Sequence, residues 1–402
     1  MDAHEFTALH RLMAASLFMN LVGQASFVCI VLVLSTHASP TVLGLALGTT
    51  TLIDAVVSPF GGWLADRFPR PRMVIVGVSI EILCYLSLAT LTGFRPDDVV
   101  LVFALMVLAQ VGESITLPAS GTLAPTIFVG DALGVANARI QTMSRIGSVC
   151  GPLAMSAIML ATGRVWFAFV ANAIILAVAR WNTVDLMRRF PATNRVSEAS
   201  SPAAGATWRH VLAHPVIGLL VLYYLITQAG AGTLWVGLPV LAAGWHDRLI
   251  TYPVLVAAGS IGGLIGAWCA SRFTGKAQMV RNMALFTLAQ AVCVVLVGVI
   301  RVPMASVGLY AMYALCVSLS GVVVMTYIGT SVDNRLLGRA TGVTDSASIG
   351  GFAVGNYGGG PLVAHAGAAA AFIGCGITSV VGAVLLLAHR PRQTDAVRGV
   401  AL

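Results

Sequence analysis

Asp54, Glu113 and Arg145 stand inside long apolar runs, where an ionisable side chain costs several kcal/mol unless it has a partner or a task. A carboxyl group taken out of water loads and releases a proton nearer neutral pH than an exposed one. Asp54 and Glu113 are therefore the first candidates for carrying protons or lining an ion pathway. Asp54 lies twelve residues before Asp66, about 18 Å of helical rise. Glu113 and Arg145 lie sixteen residues either side of position 129, so a hairpin turn centred there sets them at one depth on antiparallel segments, as potential partners. Structural ion pairing is the alternative for all three. Glu81 and Asp345 sit about 13–15 Å from the ends of their runs, where snorkelling or a structural role is the simpler reading.

The elements that must position these groups are legible in composition. Of 402 residues, 58% are hydrophobic and 9% charged, against roughly 25% charged in soluble domains. Twelve apolar runs predict an all-α polytopic membrane protein with twelve transmembrane helices, its natural partner the lipid bilayer. An even number of crossings puts both ends on one side. Arg188, Arg189, Arg195, Arg272, Lys276, Arg335 and Arg390 fall at the ends and in even-numbered connections, whereas only Arg95, Arg164, Arg248 and Arg301 fall opposite. Both termini are predicted to be cytoplasmic. This bias accounts for the net charge of +8, so nucleic acid is not an expected partner.

Several classes of chemistry find no support. Cys29, Cys84, Cys150, Cys269, Cys293, Cys316 and Cys375 are scattered singly in apolar runs, as small core residues and not metal ligands. The single lysine, Lys276, is followed by Ala277, so no phosphate-binding loop is present, and HExxH is missing. No cofactor, metal site or enzymatic activity is expected. Met1 to Arg11 is polar and precedes a run too long for a cleavable signal.

The chain reads as residues 1–186, a polar 187–213 linker, and residues 214–402. At an offset of about 205 residues GGWLADRF (61–68) falls on GAWCASRF (266–273), so Gly61, Trp63, Ala65, Arg67 and Phe68 recur as Gly266, Trp268, Ala270, Arg272 and Phe273. This is an internal duplication, in which Ser271 replaces Asp66.

The stretch from Gly61 to Arg72 joins two apolar runs. Gly62, Leu64, Ala65, Asp66, Arg67 and Arg70 resemble the loop between the second and third helices of the major facilitator superfamily. Pro69 and Pro71 depart from that pattern, stiffen the loop and slide a basic position to Arg72. The resemblance implies two pseudo-symmetric six-helix bundles with substrate held between them at midplane. It also implies that Gly62, Asp66, Arg67, Arg70 and Arg72 form a cytoplasmic gating motif that holds the outward-facing state. Pro118, Pro125, Ala136-Asn137-Ala138 and Gly147-x-x-x-Gly151-Pro152 are similar to the bacterial efflux subgroup that includes macrolide and enterobactin exporters. Met155 and Ser156 stand where that subgroup has paired glycines.

An offset of 204 brings Gln24 onto Gln228, with Asn20 nearby. Buried amides need hydrogen-bond partners, so Asn20, Gln24 and Gln228 are candidate cavity residues, with interhelical glue as the alternative. Gly147, Gly151 and Pro152 permit a close contact and a kink, a candidate hinge in helix five. Together these readings predict a monomeric secondary transporter of the bacterial inner membrane. Its predicted activity is proton-coupled antiport in the export direction, by alternating access, of a small organic substrate. Import by proton symport and a non-transporting sensor remain open.

Overall fold

The structure is a computed structural model that describes residues 3–95, 97–121, 123–128, 131–190, 215–245, 248–273, 275, 278–300, 302–332 and 334–388. Most of the predicted 187–213 linker lies outside these residues. The helices are α1 (Ala3–His37), α2 (Pro40–Arg67), α3 (Arg70–Phe94), α4 (Val99–Gly121), α5 (Asp131–Thr162) and α6 (Val165–Arg189), then α7 (Pro215–Ala243), α8 (Arg248–Cys269), α9 (Met279–Ile300), α10 (Pro303–Ser331), α11 (Asn334–Ala366) and α12 (Ala368–Ala388). No strand occurs among the described residues. In hydrocarbon each backbone group must be satisfied within its own segment, and helices do this.

Local chemistry sets the helix ends. Ser39 caps α2 by accepting from the Val42 amide at 3.4 Å, and Pro40 occupies the first turn, where a missing N–H costs nothing. Pro69 separates α2 from α3 and leaves a connection too short for anything but an antiparallel hairpin. Gly163 and Gly367, at φ 64° and 81°, end α5 and α11 in the left-handed conformation that glycine tolerates best. Their amides close the last turns on Met159 and Val363. The two glycines are 204 residues apart, and so are their partners.

Among the described residues, ten of the twelve helices are long and apolar enough to cross a membrane. The other two, α5 and α11, carry the charged and glycine-rich stretches Asp131–Arg145 and Asn334–Gly360. They are pseudo-symmetry mates, and each supplies the main contact with the opposite half: α5 packs on α8, and α11 on α2.

Within each half the packing repeats pair by pair. In the first, α1 packs on α5 and α6, α3 on α4 and α6, and α2 on α4; in the second, α7 packs on α11 and α12, α9 on α10 and α12, and α8 on α10. The duplicated glycines explain the repeat physically. A methyl group at Gly61 runs into the Ser114 carbonyl of α4, and one at Gly266 into the Leu315 carbonyl of α10. Gly147 and Gly151 likewise press on the Leu17 and Leu21 carbonyls of α1, while Gly351 and Gly355 press on Leu225 and Ala229 of α7. Small residues let helix backbones touch where hydrophobic drive between helices is absent.

The halves meet toward the end of the molecule away from the termini. There Gly44 of α2 abuts the Asn356 carbonyl and Gly360 of α11, and Thr49 Oγ1 lies 3.2 Å from Tyr357 Oη. Ser156 Oγ of α5 lies 2.9 Å from the Pro253 carbonyl of α8, and Phe27 meets Trp235 edge to face at 5.0 Å. Toward the termini α5 and α8 flank a cavity of about 780 Å³ lined by Arg145, Ser148, Leu264 and Ala267.

Candidate functional site

Two adjoining cavities occupy the space between the halves, and their walls differ in chemistry. The first, about 360 Å³, is lined by Asp54 of α2, by Gln110 and Glu113 of α4, by Tyr85 of α3 and by Ser26 of α1. Gln228 and Ser348 close it from the second half. Ser114 Oγ donates to Asp54 Oδ1 at 2.8 Å, and Gln110 Nε2 lies 3.5 Å from Glu113 Oε2. A methyl at Gly23 of α1 comes within 2.9 Å of Glu113 Oε1, so only glycine leaves that carboxyl its place.

The second cavity, about 460 Å³, is built chiefly from the second half, and among the described residues no charged side chain lines it. Tyr310 and Tyr313 of α10 stack at 5.7 Å with planes 23° apart. Tyr223 and Tyr224 of α7 meet at 5.6 Å, and the Tyr223 hydroxyl is shared with Thr287 at 2.9 Å and Ser320 at 3.1 Å. Gln24, Gln290 and Gln228 add amides. Phe27, Gln228 and Phe352 line both cavities, and Gln228 Nε2 donates to Ser348 Oγ at 2.9 Å. One end of this composite space carries the two carboxyl groups of Asp54 and Glu113; the other offers flat apolar surface with hydroxyl and amide groups, the composition of a small-molecule site.

The structure brings some of the expected residues together and separates others. Asp54 and Glu113 face one cavity. Gln24 and Gln228 line the aromatic one, whereas Asn20 donates to the Ser16 carbonyl of its own helix at 2.9 Å and lines neither. The expected pairing of Glu113 with Arg145 does not form, because α4 and α5, neighbours in sequence, are not packed together: α4 rests on α3 and α2, and α5 on α1 and α8. Arg145 is exposed and lines the cavity flanked by α5 and α8, away from Glu113; that cavity adjoins the aromatic one, sharing Tyr224, Ser260 and Ser318 with it. Pro152 lines the aromatic cavity beside Gly151. The Gly62 and Asp66 side chains lie outside the described residues, while Arg67, Arg70 and Arg72 stand at the termini end of α2 and α3. Sequence reasoning missed Tyr310 and Tyr313, whose three-residue spacing on one helix face was the available signal.

Among the described residues no arginine or lysine pairs with Glu113. Glu113→Gln is therefore expected to reach the membrane at parental level. Immunoblotting of membrane fractions checks it: a collapse in abundance means that neutralising Glu113 strands a buried partner, at a cost of roughly 3–5 kcal/mol.

A two-fold bundle of membrane-crossing helices, closed at one end around a polar space midway along them, defines a carrier that moves a solute through a bilayer. The particular class is clear from comparison: the sequence profile of the Major Facilitator Superfamily matches residues 12–348, and the chain belongs to that family. It is a multi-pass membrane transporter and not an enzyme. The chain is similar to the enterobactin exporter EntS of Salmonella typhimurium strain LT2, with 27% identity over 84% of this chain and 82% of that protein. The enterobactin exporter EntS of Escherichia coli O139:H28 is also 27% identical, over 83% and 81%. In fold it is similar to a mutant of the nucleoside transporter NupG, with TM-score 0.78 at 12% identity over 95% and 99% of the two chains. A POT family transporter in complex with a thioalcohol-conjugated peptide gives TM-score 0.72 at 11% identity over 94% and 95%.

Proposed function

We propose that the chain exports a small organic molecule across the bacterial inner membrane in exchange for protons. The observation that carries this reading is the pair Asp54 and Glu113 on one wall of a cavity whose opposite end is aromatic and uncharged. A carboxyl pair in low dielectric exchanges protons, and stacked rings with amide and hydroxyl partners hold a flat organic solute. With both termini cytoplasmic, as the distribution of arginines argues, the end where α5 and α8 flank the 780 Å³ cavity faces the cytoplasm and the end where the halves meet faces outward. The Asp66 motif then serves as the clasp of the opposite state, and Gly147, Gly151 and Pro152 as the flexure of α5.

Export is favoured over import by the names of the similar proteins, and enterobactin is the first compound to test. A deletion strain carrying the chain is expected to release enterobactin, or another member of a panel of antibiotics, dyes and metabolites, faster than one without it. A protonophore is expected to remove the difference. Release that is unaffected by both the gene and the protonophore for every compound overturns the reading.

The topology follows from the same argument. Alkaline-phosphatase fusions within the 187–213 linker are expected to be inactive and fusions after Arg95 or at Arg248 active, read as colony colour. Activity at the linker inverts the orientation.

A further inference from the structure

Glu81 of α3 stands behind the acidic cavity, 5% exposed, and forms no ion pair among the described residues. Its hydrogen-bond partner is Thr116 Oγ1 of α4, 3.2 Å from Glu81 Oε1. Thr116 Oγ1 also lies 2.9 Å from the Gly112 carbonyl one turn earlier. A hydroxyl has a single hydrogen to give. The carbonyl can only accept, and its contact is the shorter, so the hydrogen of Thr116 goes to Gly112. The contact with Glu81 is then a hydrogen bond only if the carboxyl donates.

The surroundings connect this carboxyl to the cavity. Tyr85 is one helical turn along α3 and lines the acidic cavity together with Ser26. Gly112, whose added methyl would come within 3.0 Å of the Glu81 side chain, is adjacent in sequence to Glu113. Thr116 of α4 touches Glu81, and the other titratable groups near it in sequence or on the packed α4 are Glu113, Cys84 and Tyr85. Asp54 of α2 lines the same cavity as Glu113 and accepts from Ser114, and Arg180 of α6 is engaged with Ser79 at 3.0 Å.

We propose that Glu81 is a proton-holding residue of the transport cycle, neutral in the state seen here, which exchanges its proton with Glu113 across the α3–α4 contact. This rests on the proton-coupled reading of Asp54 and Glu113. The O–H bond of the Glu81 carboxyl breaks, one forms on the Glu113 carboxylate, and no electron or other group moves. Two carboxyls buried on packed neighbouring helices share a proton more readily than both shed one. Glu81 thereby keeps a proton out of reach of solute while the cavity wall is ionised. It touches no substrate, so its part is storage and not recognition.

Infrared spectroscopy of the full-length protein in detergent tests this without a substrate. The parent is expected to show the carbonyl stretch of a buried neutral carboxyl at a pH where exposed carboxyls are ionised. That band is expected to be lost in Glu81→Gln, displaced in Thr116→Val and retained in Asp54→Asn. In Glu113→Gln it is expected to lose the pH response seen in the parent. An unchanged band in Glu81→Gln overturns the assignment, and an unaltered pH response in Glu113→Gln overturns the exchange. If Glu81→Gln does not accumulate, Thr116→Val decides, and an undisplaced band is fatal. Failure of the underlying reading looks different: Asp54→Asn and Glu113→Gln then transport like the parent with the Glu81 band still present.

Discussion

Transport against a gradient is expected to be lost in Asp54→Asn, while the protein stays in the membrane and still exchanges substrate downhill. Asp54 lies in the acidic cavity with only Ser114 as a hydrogen-bond donor to it at 2.8 Å among the described residues, and asparagine accepts the same bond. The aromatic cavity does not include it, which is why binding is spared. One proton crossing about 100 mV supplies about 2.3 kcal/mol. At about 1.4 kcal/mol per decade that sustains a roughly 50-fold concentration ratio. Without the coupled proton the ratio falls to about one. Accumulation in everted vesicles reads it directly, and a parental ratio in the variant removes Asp54 from the coupling step.

Gly44→Val is expected to stop the cycle by a different route. Its added carbon would lie 2.5 Å from the Asn356 carbonyl and 2.8 Å from the Gly360 Cα, both backbone atoms that cannot turn aside. The clash falls between the halves and not within either, so each bundle folds as before. Overpacking of this kind costs roughly 1–3 kcal/mol, applied only to the state in which this end is closed. A cost of that size shifts a two-state equilibrium roughly 5–150-fold. Flux is expected to fall in proportion, while a thiol reagent added from outside labels a Thr49→Cys reporter more readily. Parental flux with parental labelling shows that the Gly44 contact is not part of the gate.

The fold was almost wholly legible because lipid leaves the backbone few choices. Apolar runs, short connections and the Gly61–Phe68 repeat were enough for twelve helices in two bundles. What the repeat meant was visible only in three dimensions, where Gly61 and Gly266 prove to be the points at which α2 and α8 touch the backbones of α4 and α10. The glycine recurrences at 147 and 351, 151 and 355, and 163 and 367 were equally present in the sequence.

Half of the candidate site was legible for an electrostatic reason: Asp54 and Glu113 are expensive where they are, and both line the acidic cavity. Arg145 satisfied the same rule and belongs to another cavity, because depth along a helix says nothing about the direction a side chain faces. The Tyr310 and Tyr313 part of the aromatic wall was hidden in its surroundings. Tyr310 and Tyr313 in an apolar helix look like packing until the helices that leave space beside them are known. Glu81 was placed as structural by its position nearer a helix end, and only the contest for one hydroxyl hydrogen at Thr116 assigns it a proton.

Proton release driven by solute tests the central claim most directly. Everted membrane vesicles containing the chain are acidified inside by respiration, and luminal pH is followed with a quenched acridine dye as enterobactin and then the remaining panel are added. The account predicts that a transported compound dequenches the dye in parental vesicles, that Asp54→Asn and Glu113→Gln suppress the signal, and that compound uptake and proton release rise together. A compound carried into parental vesicles at full rate with no proton release, or release that persists when both carboxyls are neutralised, contradicts it.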